Sequence, residues 1–457
     1  MFYSIVFCVF RNAACLFFYA YSIKGHASDQ SYSNGGPKRR FEDGFNNTCS
    51  KYPFVAQYLA NFETPSQRFM IFVFHEAGVS NGGLGDRLGG MISAMAYALR
   101  TGRTLLISGD KAFEESFRPY HPQNDGRYTW GDWSWSGWSD EYARGSNFTH
   151  LRHCVNPKRS AKVCQLDSDL PERTVKYRSN RAFLCRWVMK KEVYDLSSLS
   201  SLGITTETDL FEVAGCMLRL AIWPTEKLWE TLDNSVQSQL STKSSKTFFQ
   251  IGIHFRCGDS SFSRVVNGGS SFNPECVFEA TTKWKGTRFM DDKSLDSPID
   301  HGKCALMLSD AIPIHERGNT IIFIASDNPE SALQIKSTIK WPFVILPPSV
   351  CHIDLQNDFS CTVQTTLHWF LLSLSNKIVM QGLVKPPVVS GSAIEEIPDG
   401  LNRSSVQGSV SAFSRFAAIY GLHKDASRYG LDCHPIDSNV LSRTTQGNWI
   451  CNSKHLY

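Results

Sequence analysis

The chain has 457 residues, 42% of them hydrophobic and 20% charged, which supplies a buried core for two or three domains and excludes a disordered chain. Its 47 Lys and Arg against 43 Asp and Glu leave a net charge of +4. That excludes bulk electrostatic attraction to nucleic acid, so a bound anion must be held by local chemistry.

The first residues, FYSIVFCVFRNAACLFFYAYSI, form an apolar leader broken by Arg11 and followed by Lys24, so residues 1–24 read as a signal peptide or a single type II signal-anchor. Of 14 cysteines, Cys8 and Cys15 lie in this leader. The remaining 12, from Cys49 to Cys451, contain no Cys-x-x-Cys pair, which speaks against zinc and for disulfides in an oxidising compartment. Asn-x-Ser/Thr sequons at Asn46, Asn147 and Asn402 fit the same endoplasmic reticulum or Golgi route. Residues 25–51 are polar and rich in Gly, Ser and Asn, and read as a flexible stem, with the folded region beginning near Tyr52.

From there the pattern is strand (RFMIFVFHEA), Gly-rich turn (NGGLGDRLGG), helix (MISAMAYALRTG, with Gly102 as its C-terminal stop) and strand (RTLLISGD). Between Lys111 and Val213 it loosens into polar and aromatic loops, including YTWGDWSWSGW from Tyr128 to Trp138. These indoles are either a stacking platform for an acceptor or packing within a loop-rich insertion. After the joint STKSSK, regular alternation returns: strands FFQIGIHFR, NTIIFIASD, FVILPP and KIVMQ, with helices PESALQIKSTIK and CTVQTTLHWFLLSLS between them. A Pro/Gly/Ser-rich stretch, 382–407, interrupts this before SAFSRFAAIYG resumes a turn and helix. The expected architecture is α/β: an N-terminal domain over 52–243, with a loop-rich insertion, and a C-terminal domain over 244–457.

In an open α/β sheet, ligands sit beyond the carboxyl ends of the strands, and three such ends carry chemistry here. Gly82, Gly83 and Gly85 form a bare turn before a helix N-terminus, favourable to an anion, yet their spacing matches neither the dinucleotide fingerprint nor a P-loop. HFRCGD, His254 to Asp259, places a guanidinium at a strand end, suited to gripping a diphosphate in bidentate fashion. SAFSRFA offers small hydroxyl residues at a helix start, the other jaw of such a clamp. His75, His121 and His150 lack metal-ligand spacing.

Taken in order, NGGLGDRLGG, HFRCGD, IIFIASDNPES, LHWFLLSLSNKIVM and SAFSRFA resemble the fucosyltransferase superfamily, over residues 70–420. That family includes the protein O-fucosyltransferases, the α1,6-fucosyltransferases and the plant cell-wall enzymes. The resemblance implies two Rossmann-like domains facing a cleft (GT-B type) and inverting transfer of L-fucose from GDP-fucose to a glycan or glycoprotein, with no obligatory metal or other cofactor. It also implies roles. Arg256 would bind the β-phosphate and stabilise the leaving GDP, and Ser411, Phe413 and Ser414 would line the phosphates or nucleotide. Asp327 would close the sheet edge near the base or ribose, while His254 and Asp259 would shape the Arg256 loop. Asp86 would be the general base, with Arg87 or Glu76 as alternative binding groups. The pattern departs at His368, where many relatives carry an acidic residue contacting guanine, and at SAFS, where they carry SSFS. Two other readings stay open: a different GT-B glycosyltransferase, and a non-catalytic secreted module that binds carbohydrate or nucleotide sugar.

Overall fold

A computed structural model describes residues 36–63, 68–74, 83–108, 111–121, 151–154, 173–179, 200, 202–205, 208–240, 249–255, 298–318, 320–341, 344–345, 359–380, 412–422, 428–429 and 433. All of them fall within one compact unit, Gly35–Tyr457. The leader, the Trp-dense stretch and the 382–407 segment lie outside the described residues.

Two parallel sheets organise the chain, as an α/β fold of Rossmann-like halves requires. The first has strand order β2-β1-β5-β4, from β1 Phe69–Val73, β2 Thr104–Ser108, β4 Leu151–Cys154 and β5 Thr174–Ser179. The second has order β11-β10-β7-β8-β9, from β7 Phe249–Phe255, β8 Thr320–Ser326, β9 Val344–Ile345, β10 Lys377–Val379 and β11 Arg428–Tyr429. A two-residue ribbon pairs β3 Phe117–Arg118 with β6 Trp223–Pro224. β1 is buried at every position, because a parallel strand is covered on both faces and so reads as one apolar run.

Between the sheets lies a shared helical layer. On the first sheet sits α3 Leu84–Arg100, with α5 Leu210–Ala221 packed on it, while α4 Lys111–Ser116 and α6 Glu226–Leu240 pack on each other beside them. Against them pack α10 Phe359–Ser373 and α11 Ala412–Gly421 from the second half. One apolar core runs through both sets, from Met70 and Phe72 through Met91, Met95 and Met217 to Trp369, Phe370 and Tyr420. The outer face of the second sheet is covered by α7 Pro298–Asp310 and α9 Pro329–Ile339, with α8 Ile314–Arg317 between them, around a separate core of Ile251, Ile253, Ile322 and Ile324. Gly215 lets α5 cross α11 closely: a Cβ there would stand 2.4 Å from the carbonyl oxygen of Ile419.

Three expectations are corrected. The second half of the expected stem is a helix, α1 Pro37–Cys49, followed by α2 Pro53–Glu63, so ordered structure begins well before Tyr52. Phe41, Phe45 and Cys49 recur every four residues, forming one apolar face that docks on the shared core, and Pro37 at the first turn starts the helix. Phe41 lies among Trp223, Trp229, Phe370 and Tyr420 with ring centroids 5.0–6.0 Å apart. Cys49 is disulfide-bonded to Cys216 of α5.

Second, the irregular stretch after Lys111 holds a central strand. β5 pairs in parallel with both β1 and β4, burying Val175 and Tyr177. Third, helix α3 starts at Leu84, so Gly85 and Asp86 belong to its first turn and not to a loop. A second disulfide joins Cys304 of α7 to Cys433. The disulfides expected from the cysteine usage are therefore present. Among the described residues no helix is long and apolar enough to cross a membrane.

Candidate active site

Of the sequence-predicted residues, His254 and Asp327 lie at the carboxyl edge of the second sheet, and Phe413 meets His254 there. Parallel register pairs Gly252 with Phe323, His254 with Ala325 and Phe255 with Ser326. Registered residues share a face, so Gln250, Gly252 and His254 look toward α10 and α11, while Ile251, Ile253 and Phe255 look toward α7. Gly252 is bare because Ser375 Oγ would lie 2.5 Å from a Cβ there. This close approach seats α10 on the sheet, and Gln250 completes the seat by donating through Nε2 to the carbonyl of Leu371 at 3.0 Å.

His254, one residue before the end of β7, is buried and stacks on Phe413 of α11, with ring centroids 5.1 Å apart and planes 29° apart. Residues of HFRCGD and SAFSRFA thus meet face to face across more than 150 positions of sequence. Ser414, next to Phe413, is fully buried. Arg256 and Asp259 follow directly on β7, and Ser411 directly precedes α11; all three lie outside the described residues, as do Gly82 and Glu76.

Beside this edge, Asp327 leaves β8 in a tight polar turn. Ser326 Oγ accepts from the backbone N–H of Asn328 and donates to the Asn328 carbonyl, both at 3.1 Å. Asn328 Oδ1 in turn accepts from the Ser331 N–H at 2.8 Å, capping α9 with Pro329 at its first position. The buried Asn328 was not singled out from the sequence, although Asn before Pro at the start of a helical pattern is the signal for it. Asp327 itself is half-buried.

His368 sits on α10, buried, with its ring 5.9 Å from Phe323 in the middle of β8. Burial holds its imidazole down at about 4, so the ring is neutral at physiological pH. On the other sheet, Gly83 is the N-cap of α3 with φ −62° and ψ 172°, an extended conformation open to any residue. Asp86 is the third residue of α3, and the next residue, Arg87, is buried with its guanidinium 5.1 Å over Phe74, just past β1. Among the described residues no group of three or more His, Cys, Asp or Glu side chains is placed to hold a metal ion.

No family model and no curated protein matches the sequence. Among solved structures the chain is similar to Arabidopsis thaliana FUT1 in complex with GDP, at 13% identity and a TM-score of 0.41, over 86% of this chain and 78% of that one. It is also similar to the fucosyltransferase NodZ from Bradyrhizobium, at 15% identity and a TM-score of 0.36, over 77% of this chain and 93% of that one. POFUT1 in complex with GDP-fucose is a third, at 10% identity and a TM-score of 0.29, over 68% of this chain and 90% of that one.

Proposed function

We propose that the chain is an inverting glycosyltransferase that moves L-fucose from GDP-fucose to a glycan or glycoprotein acceptor in the secretory pathway. The observation that carries the reading is the His254–Phe413 stack, which brings HFRCGD and SAFSRFA together at the carboxyl edge of a parallel sheet. In this reading the Arg256 guanidinium grips the β-phosphate. The acceptor oxygen forms a bond to C1 of fucose from the face opposite the diphosphate, the bond from C1 to the β-phosphate oxygen breaks, and GDP leaves with its charge neutralised by Arg256. Asp86 takes the acceptor proton. Asp259 and His254 hold the Arg256 loop, Ser411, Phe413 and Ser414 line the nucleotide, and Asp327 lies by the base or ribose. His368, neutral in its buried setting, takes the place where, on the resemblance, many relatives carry an acid, which weakens the electrostatic preference for guanine. The disulfides Cys49–Cys216 and Cys304–Cys433 support an oxidising compartment.

The experiment measures GDP affinity and GDP-fucose turnover for the wild type, Arg256→Ala and Asp86→Asn, each with and without a chelator. Turnover that survives the chelator, falls by at least about a hundredfold in Arg256→Ala and falls in Asp86→Asn with GDP affinity retained fits the reading. A wild-type chain that neither binds GDP nor consumes GDP-fucose would overturn it, and GDP binding without turnover would favour the non-catalytic module.

A further inference from the structure

We infer that Asn46 is the acceptor of an N-linked glycan and that it is filled during synthesis, before α1 docks. The inference rests on the lumenal part of the function proposed above. Phe41, Phe45 and Cys49 turn inward from α1, which leaves Asn46 exposed on its flank and Asn47 exposed on the opposite side, and the sequon Asn46-Asn47-Thr48 lies in the last turn of the helix. A glycan on Asn46 therefore has solvent to occupy and displaces no core residue.

Once α1 is docked, however, the sequon is locked. Two residues apart on a helix are turned about 200° from each other, so the Asn46 amide and the Thr48 hydroxyl leave opposite sides of α1. An oligosaccharide-transferring enzyme reads those two groups from one side of an extended or turned backbone. Ser50 Oγ also donates to the carbonyl of Asn46 at 2.5 Å, tying down the last turn.

During synthesis none of this holds. A helix of 13 residues is marginal in isolation, and every group that α1 docks on is made later: Cys216 follows Cys49 by 167 residues. At about 5–20 residues per second, roughly 10–30 s pass before that partner exists. In that window Asn46 Nδ2 attacks C1 of a lipid-pyrophosphate-linked oligosaccharide. The N–C1 bond forms, the C1–O bond to pyrophosphate breaks, the amide loses one proton and the lipid pyrophosphate leaves.

The test uses the full chain in two forms. Secreted from eukaryotic cells behind a foreign cleavable signal, which fixes lumenal entry whatever the native leader does, it is deglycosylated enzymatically in heavy-oxygen water and mapped by mass spectrometry. The Asn46 peptide is expected to carry the label, and Asn46→Gln to lose it. Made in bacteria and folded with its disulfides closed, the same chain is given to a solubilised oligosaccharyltransferase and lipid-linked donor. Acceptance at Asn46 is expected to rise at least roughly tenfold after reduction and denaturation, because the docked helix must open first. An unmodified Asn46 in the secreted chain, or equal acceptance by folded and unfolded chains, overturns the inference. Neither readout depends on fucose transfer, so failure here and failure of the proposed activity are separate results.

Discussion

Arg219 Nε donates to the carbonyl oxygen of Tyr420 at 2.7 Å, tying α5 of the first half to α11 of the second. Its Nη1 donates to the Phe41 carbonyl at 2.8 Å, and the guanidinium lies 3.9 Å over the Phe41 ring, so one buried side chain holds three helices. Burial lowers its affinity for its proton, to about 9, and the two carbonyls with two aromatic faces compensate the charge. Arg219→Met leaves both carbonyls buried without this donor and is expected to cost roughly 3 kcal/mol or more. The shift in the chemical-denaturation midpoint measures it, and a change below about 1 kcal/mol would refute the assignment.

The buried His368 makes stability sensitive to acid. Its ring is neutral when folded, with a value of about 4 against 6.5 unfolded, so between those pH values the unfolded chain binds more protons. Stability therefore rises with pH across this window and is lost as pH falls from 6.5 toward 4; at pH 5 the loss from this group is roughly 2 kcal/mol. Urea titrations at pH 7.5 and pH 5 should show a smaller acid loss for His368→Leu than for the wild type. Equal losses would assign the acid sensitivity elsewhere.

Removing the Cys49–Cys216 bond frees a loop whose ends are 167 residues apart, for which the chain-entropy account gives an upper figure of about 5 kcal/mol. A Cys49→Ser, Cys216→Ser pair is expected to lower stability by several kcal/mol and to open α1 first, seen as proteolysis within 37–49 ahead of the rest. Digestion that begins elsewhere at unchanged α1 protection would refute that order.

His254→Phe keeps an aromatic face on Phe413 while deleting the imidazole nitrogens. Under the proposed function, GDP affinity is expected to fall about tenfold, the worth of one hydrogen bond, with stability unchanged to within about 1 kcal/mol. Phe413→Ala should reduce both. Calorimetric GDP binding by His254→Phe equal to wild type would remove His254 from its proposed hold on the Arg256 loop.

Four of the five strands of the second half were legible because parallel strands covered on both faces read as short apolar runs, IIFIA of β8 most plainly, whereas β11, only Arg428–Tyr429, carries no such run. β5 was not, since TVKYRS has only Val175 and Tyr177 as apolar positions, and Lys176 and the serine and arginine beside them disguise a central strand. α1 escaped for a similar reason: three apolar residues, each four apart, among thirteen. At the site, the strand-end motifs led to the His254–Phe413 meeting, but the start of α3 did not follow from local rules. Gly85, Gly89 and Gly90 each cost a helix about 1 kcal/mol, yet they lie buried inside α3, where α5 and α11 press against it and packing overrides propensity.

The apolar layer that Phe41 enters is built from α5, α6, α10 and α11 together. It follows that the halves on either side of residue 244 are not interchangeable modules. A chimera that grafts another protein's C-terminal half onto this chain would have to transplant Phe370 and Tyr420, or recode α1 to fit their replacements. Under the proposed function, exchange of acceptor specificity is accordingly best attempted by rewriting segments between strands, with the helical seam left intact.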